Sequence, residues 1–224
     1  MVNNTQNKNM KIVTALGSLI MLASSPLSQG AVIISSTTGN GGFVNATANV
    51  NTTSITGWTA TTNFWVDSGN TSLSTTPFGS DTTTNSRFIQ LHNDSGCVLT
   101  STSLFTVGTG DTINLSFDLK SGGSGPETTL TISIVDTVNA TTLYTFGTVF
   151  NTGTTSTAFS QKDLTSGALA GGGSNLALRF TLSDPAATGR DFHLDRVYME
   201  AVPEPSACLL GGLGMFGLMR RRRA

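Results

Sequence analysis

The sequence predicts an all-β protein: a two-sheet antiparallel β-sandwich of jelly-roll type. A signal helix at the N-terminus and a short hydrophobic helix at the C-terminus are expected to flank it. Three observations carry this. Threonine makes up about one residue in six of the 224, and its branched Cβ stiffens the side chain and favours a pleated strand over a helix. Several segments alternate apolar and polar residues with period 2, and none shows a convincing period of 3.6. Clusters of Gly, Asn, Asp and Ser separate those segments, as turns do.

At the N-terminal end, Lys8 and Lys11 lead into an apolar stretch over 12–23, with small residues at Ser28 and Gly30. A basic start, an apolar core and small residues before the cut make a secretory signal peptide over 1–30, which is excluded from the fold. A buried N-terminal helix is the plainer alternative.

The β-sandwich domain is expected over 31–201, a length that suits one domain with a substantial core. Less regular strands are expected at 32–35, 63–66, 87–92 and 104–107. The clearest strand is 112–120, with Ile113, Leu115, Phe117 and Leu119 on one face and Asn114, Ser116 and Asp118 on the other. Leu130, Ile132 and Ile134 alternate next. Weaker strands follow at 142–150 and 155–162, and Leu176, Leu178, Phe180 and Leu182 alternate again. The last strand, 192–201, switches parity: Phe192 and Leu194 share one phase, Val197, Met199 and Ala201 the other. That switch predicts a β-bulge near Asp195 and Arg196. About ten strands with one apolar face each must bury those faces against a second layer. A parallel β-helix is the main rival, but no fixed repeat of about 20 residues supports it.

The C-terminal 202–224 has three parts: Val202-Pro203-Glu204-Pro205-Ser206, an apolar run over 207–219, and Arg220, Arg221, Arg222 and Arg223 before a final alanine. The prolines cannot extend a helix or a ladder, so they break the chain away from the domain. The apolar run spans roughly 20 Å as a helix, short of a ~30 Å hydrocarbon core. Four arginines resist transfer and hold the terminus on the cytoplasmic side.

This order of motif, short helix and basic terminus resembles the PEP-CTERM sorting signal of exported bacterial proteins. The resemblance implies recognition by an exosortase-type membrane transpeptidase, transient membrane insertion through the C-terminal segment, and removal of the tail. Delivery to the cell surface or an extracellular matrix follows. An ordinary C-terminal anchor is the plain alternative.

Charge and chemistry narrow the function further. The whole chain carries −1, but six of its cations lie in the two ends. Within 31–201, six cations face twelve carboxylates, a net charge near −6. An acidic body has no electrostatic footprint for nucleic acid. Cys97 is the one cysteine in the body, since Cys208 lies in the tail; it is expected to pack as a small apolar residue. His92 and His193 lack a second imidazole or thiol at metal-ligand spacing. There is no G-x-S-x-G elbow, phosphate-binding glycine loop or H-E-x-x-H helix. Asp67, Asp94, Asp118, Asp136, Asp191 and Glu127 are the carboxylates from which a glycosidase pair would be drawn, but most sit in turn contexts. No enzyme is expected.

A second resemblance spans the body. Gly39-Asn40-Gly41-Gly42-Phe43, Gly57-Trp58-Thr59 and Phe64-Trp65-Val66-Asp67 look like the opening of carbohydrate-binding-module jelly rolls of the galactose-binding-like kind. Phe192-His193-Leu194-Asp195-Arg196-Val197 looks like their closing strand. The resemblance implies a structural calcium near Asn40 and Asp195, although Val44 stands where a glutamate ligand is usual. Calcium wants six to eight oxygens, so that loss weakens the site; no other cofactor is expected. Sugar binding would use aromatic faces with neighbouring amides and carboxylates. Trp58, Trp65, Tyr144 and Tyr198 are the aromatic candidates; Trp58 is expected in the core, and Trp65 and Tyr198 are taken as the glycan-binding residues. The expected role is structural or adhesive, at a surface or in a matrix. The alternative is a carbohydrate-binding module that retains polysaccharide there.

Overall fold

The computed structural model describes residues 30–35, 38–43, 46–47, 49–68, 87–91, 96–122, 126–147, 149–155, 157–183 and 191–204. Its strands are β1 (Ala31–Ile34), β2 (Val50–Ile55), β3 (Trp58–Ser68), β4 (Arg87–Leu91), β5 (Val98–Ser101), β6 (Phe105–Val107) and β7 (Thr112–Gly122). They continue as β8 (Thr129–Asp136), β9 (Thr141–Thr145), β10 (Phe150–Asn151), β11 (Ser160–Ala168), β12 (Gly173–Ser183) and β13 (Asp191–Val202). Every pairing among them is antiparallel.

The all-β expectation holds, but the two layers are not separate sheets. One ladder runs β10-β8-β12-β5-β3-β4-β13-β7-β11 and curls nearly into a barrel. The cause is β3, which is long enough to pair β5 over Trp58, Thr59 and Ala60 and β4 over Trp65, Val66, Asp67 and Ser68. A strand shared between two layers turns a sandwich corner into a continuous ladder.

Period 2 decides which side chains fill the interior. In β7, Ile113, Leu115, Phe117 and Leu119 are fully buried, and in β12 so are Leu178 and Phe180. The two strands belong to opposite halves of the ladder, and Phe117 meets Phe180 edge-on at 5.7 Å. Trp58 sits between them and the 39–43 loop, with ring centroids 6.1 Å from Phe180 and 5.7 Å from Phe43. Its indole Nε1 donates to the Asn40 carbonyl at 3.1 Å. Cys97 is buried with a free thiol, as expected of a small apolar residue, and burial pushes that thiol's pKa up.

The predicted bulge is present. The β13–β7 register shifts between Asp195 and Tyr198, and Arg196 takes a φ of 47°. The Val197 amide there donates to the Gly41 carbonyl at 2.9 Å. Gly41 is required at that contact, because an added Cβ would fall on the Val197 carbonyl oxygen.

Val202, read from sequence as the first tail residue, is also the last residue of β13, paired with Thr112. The signal helix and the short C-terminal helix fall outside the described residues, as does the stretch from Pro205 onward. Among the described residues no helix is long and apolar enough to cross a membrane.

Candidate functional site

The outer face of β3, β4, β13 and β7 carries a row of polar and aromatic side chains. Directly opposed residues on antiparallel neighbours share a face. Trp65 opposes Gln90, Gln90 opposes His193, and His193 opposes Lys120. Four strands therefore contribute one row: indole, amide, imidazole, ammonium. All four side chains are half-buried, as suits a shallow site.

Phe88 props up the row from the adjacent position of β4. His193 stacks on it at 5.2 Å with 17° between planes. The Lys120 Nζ lies 4.8 Å from the Phe88 centroid and 4.7 Å from that of Phe159. Two rings around one ammonium give cation–π attraction while stripping water. That burial lowers the Lys120 pKa, partly opposed by the charge of Asp67. The Gln90 amide nitrogen donates to the Asp191 carboxylate. Trp65 thus presents a partly open indole beside an oriented amide and carboxylate.

One row away the face is sealed. Asp195 opposes Asp118 across β13 and β7, and both are 1% exposed. The Arg196 Nε donates to Asp118 Oδ2 at 2.8 Å, and its Nη2 makes a second bond to the same oxygen. Burial raises the Asp118 pKa, and Arg196 pulls it back down. Asp195 Oδ1 accepts from the Arg196 amide at 2.7 Å, so the carboxylate stabilises the bulge. Both carboxylates are thus buried and engaged by Arg196.

Of the other carboxylates weighed for catalysis, Asp67 and Asp191 border the row through Lys120 and Gln90, and Asp136 and Glu127 lie apart from it. Asp136 accepts from the amides of Val138 and Asn139 at the β8–β9 turn, which lowers its pKa. Glu127 accepts from Asn151. Asp94 and His92 lie outside the described residues.

Tyr198 shares the outer face with Trp65 but is only 6% exposed. It lies opposite Ser116, four residues along β7 from the Lys120 row, or roughly 13 Å at the usual strand rise. Its hydroxyl donates to Glu200 Oε2 at 3.1 Å, and burial with the Glu200 charge pushes its pKa up to about 12. Tyr198 is therefore a packed neighbour and not half of a two-ring platform with Trp65. Sequence reading missed Phe88, Gln90, Lys120 and Phe159. The outward phase of 112–120 does end on Lys120, and that was the signal available.

Asn40 and Asp195 are both buried. The Asn40 side-chain nitrogen donates to the Thr56 carbonyl at 2.8 Å, and its backbone carbonyl accepts from Trp58. Among the described residues no group of three or more His, Cys, Asp or Glu is placed to hold a metal ion. A calcium ion here would draw its remaining oxygens from elsewhere.

Of the sorting residues, Pro203 and Glu204 follow β13 directly, while Pro205 and Arg220 to Arg223 lie outside the described residues. Residues 201–223 match the family described as the PEP-CTERM protein-sorting motif. Among curated proteins none matches the sequence.

Solved structures do resemble the domain. An arabinose-bound MgGH51 α-L-arabinofuranosidase superposes with a TM-score of 0.55 at 17% identity, over 80% of this chain and 27% of that one. The chain thus spans about a quarter of that enzyme's length. A cyclase from Fischerella sp. TAU, in complex with 4-(1H-indol-3-yl)butan-2-one, gives 0.50 at 16%, over 78% and 98%. The CBM22-1 xylan-binding domain of Paenibacillus barcinonensis Xyn10C gives 0.45 at 13%, over 79% and 97%. At such identities the first two likenesses speak to the fold alone.

Proposed function

We propose that this chain is an exported surface or matrix protein, sorted by an exosortase-type membrane transpeptidase and serving a structural or adhesive role without catalysis. The observation that carries the reading is the sorting motif over 201–223, whose first two residues are the last two of β13. The motif marks a chain held transiently at the membrane before release of its tail. Intact mass of the protein from its native host tests this. Loss of the signal peptide and of the segment beyond the sorting motif is expected. Cytosolic protein carrying both ends would overturn the reading.

The row Trp65, Gln90, His193 and Lys120 favours a second reading for the domain, a jelly-roll carbohydrate-binding module that retains polysaccharide. An indole beside an amide and a carboxylate matches the two faces of a sugar, one rich in C–H and one in hydroxyls. Affinity electrophoresis of the mature protein against a panel of polysaccharides is expected to show saturable binding. Trp65→Ala is expected to weaken it at least about tenfold, as loss of a central aromatic anchor does. Silence across the panel would leave only the structural role. Repeating the assay after chelation tests the structural calcium proposed at Asn40 and Asp195, whose removal should weaken binding and stability together.

A further inference from the structure

We infer that the edge of β13 now covered by β1 is the edge that the tail-cutting transpeptidase must occupy, so β1 acts as a strap that leaves before sorting. The inference rests on the sorting reading above. The matched motif begins at Ala201, yet Ala201 and Val202 lie inside β13, opposite Ile113 and Thr112 of β7. On the other edge, Ala31 opposes Ala201, Val32 opposes Glu200 and Ile34 opposes Met199. Met199, Glu200 and Ala201 are therefore held in a ladder from both sides, and Val202 from the β7 side.

An enzyme that grips an extended chain binds it as an added strand, through one free backbone edge. The two covers of β13 are unequal. β7 pairs with it from Gly122 to Thr112 and contributes four fully buried apolar side chains. β1 has four residues, a register shift between Val32 and Ile34, and Ile34 as its one buried side chain. Val32 is 48% exposed. Short terminal strands with little buried surface open at low cost, while a central strand opens only with the domain. The β1 side is the one that yields.

The same pairing brings the start of the domain and the start of the sorting motif to one end of the sheet. Gly30 reinforces that closeness, because a Cβ there would lie 3.0 Å from Val202 Cγ2 and 3.1 Å from the Ala201 carbonyl. The cut itself breaks one peptide bond. Its acyl side passes to water or an amine acceptor, and its amino side leaves with the tail. The strap governs access only.

A disulfide across the opposed pair tests this, as Val32→Cys with Glu200→Cys in the full-length chain. Processing is followed in membranes of the native host that contain its sorting enzyme. The oxidised double variant should lose its tail roughly tenfold more slowly or worse, since the cross-link removes the frayed state. The reduced form should be processed at the rate of Glu200→Cys alone. Ile34→Ala, which loosens the strap without a cross-link, should be processed faster than wild type. Equal processing of the oxidised and reduced forms, with the disulfide verified by mass, overturns the strap. Absence of processing in every chain, wild type included, overturns the sorting reading instead.

Discussion

Replacing Arg196 by leucine is expected to destabilise the domain by about 3–5 kcal/mol, the usual cost of stranding a buried charge. Arg196 is 3% exposed and Asp118 is 1% exposed, and the guanidinium bonds one carboxylate oxygen through two nitrogens. Leucine leaves that carboxylate without its cation in a place where water does not replace it. Urea denaturation should show a lower midpoint at unchanged slope. The double variant Arg196→Leu with Asp118→Leu should recover much of the loss, because an apolar pair needs no compensation.

The effect also has a pH signature. Burial raises the Asp118 pKa above 3.8, while Arg196 holds it down. A carboxyl with a raised folded-state pKa contributes stability that is complete below its unfolded value and is lost as pH rises through the folded value. Removing Arg196 moves the folded value higher still. The gap between wild type and Arg196→Leu should therefore be small in acid and widen toward neutral pH. A gap under about 1 kcal/mol at neutral pH would place the pair among inconsequential ion pairs.

Trp58→Ala is expected to cost about 3–5 kcal/mol, the range for truncating a buried tryptophan. The side chain is fully buried, touches Phe43 and Phe180, and donates to Asn40. Alanine opens a cavity where β3 crosses between the layers and frees the 39–43 loop at once. Trp58→Phe keeps most of the volume and should cost about 1–2 kcal/mol, mainly through the unpaired Asn40 carbonyl. The difference between the two variants separates packing from the hydrogen bond. Thermal unfolding that leaves Trp58→Ala within about 1 kcal/mol of wild type would refute a central role for this residue.

The legible strands were those with contrast between their faces. β7, β8, β12 and β13 alternate large apolar with polar residues, so period 2 could be read directly. The sequence Val50-Asn51-Thr52-Thr53-Ser54-Ile55 has almost no such contrast, and its burial alternates only between exposed and intermediate; β2 was missed for that reason. β5, with four residues, is too short to display a period. The stretch 142–150 read as one strand but divides into β9 and β10, with Phe146 buried between them. The β13 bulge was legible because a parity switch is itself a local signal. The site was legible only at Trp65.

By itself, the sequence determined the strand character of the body, the inward phase of the main strands, the bulge, and the sorting motif at 201–223. Each of these is written over a few adjacent residues, in side-chain size, branching or charge. Only the tertiary structure decided which strands are neighbours. It brought Trp65, Gln90, His193 and Lys120 into one row, joined Asp118 to Arg196 across 78 positions, and closed β1 over the end of β13. Sheet pairing is set by the burial of the whole apolar face at once, so its partners lie far apart along the chain and leave no local mark.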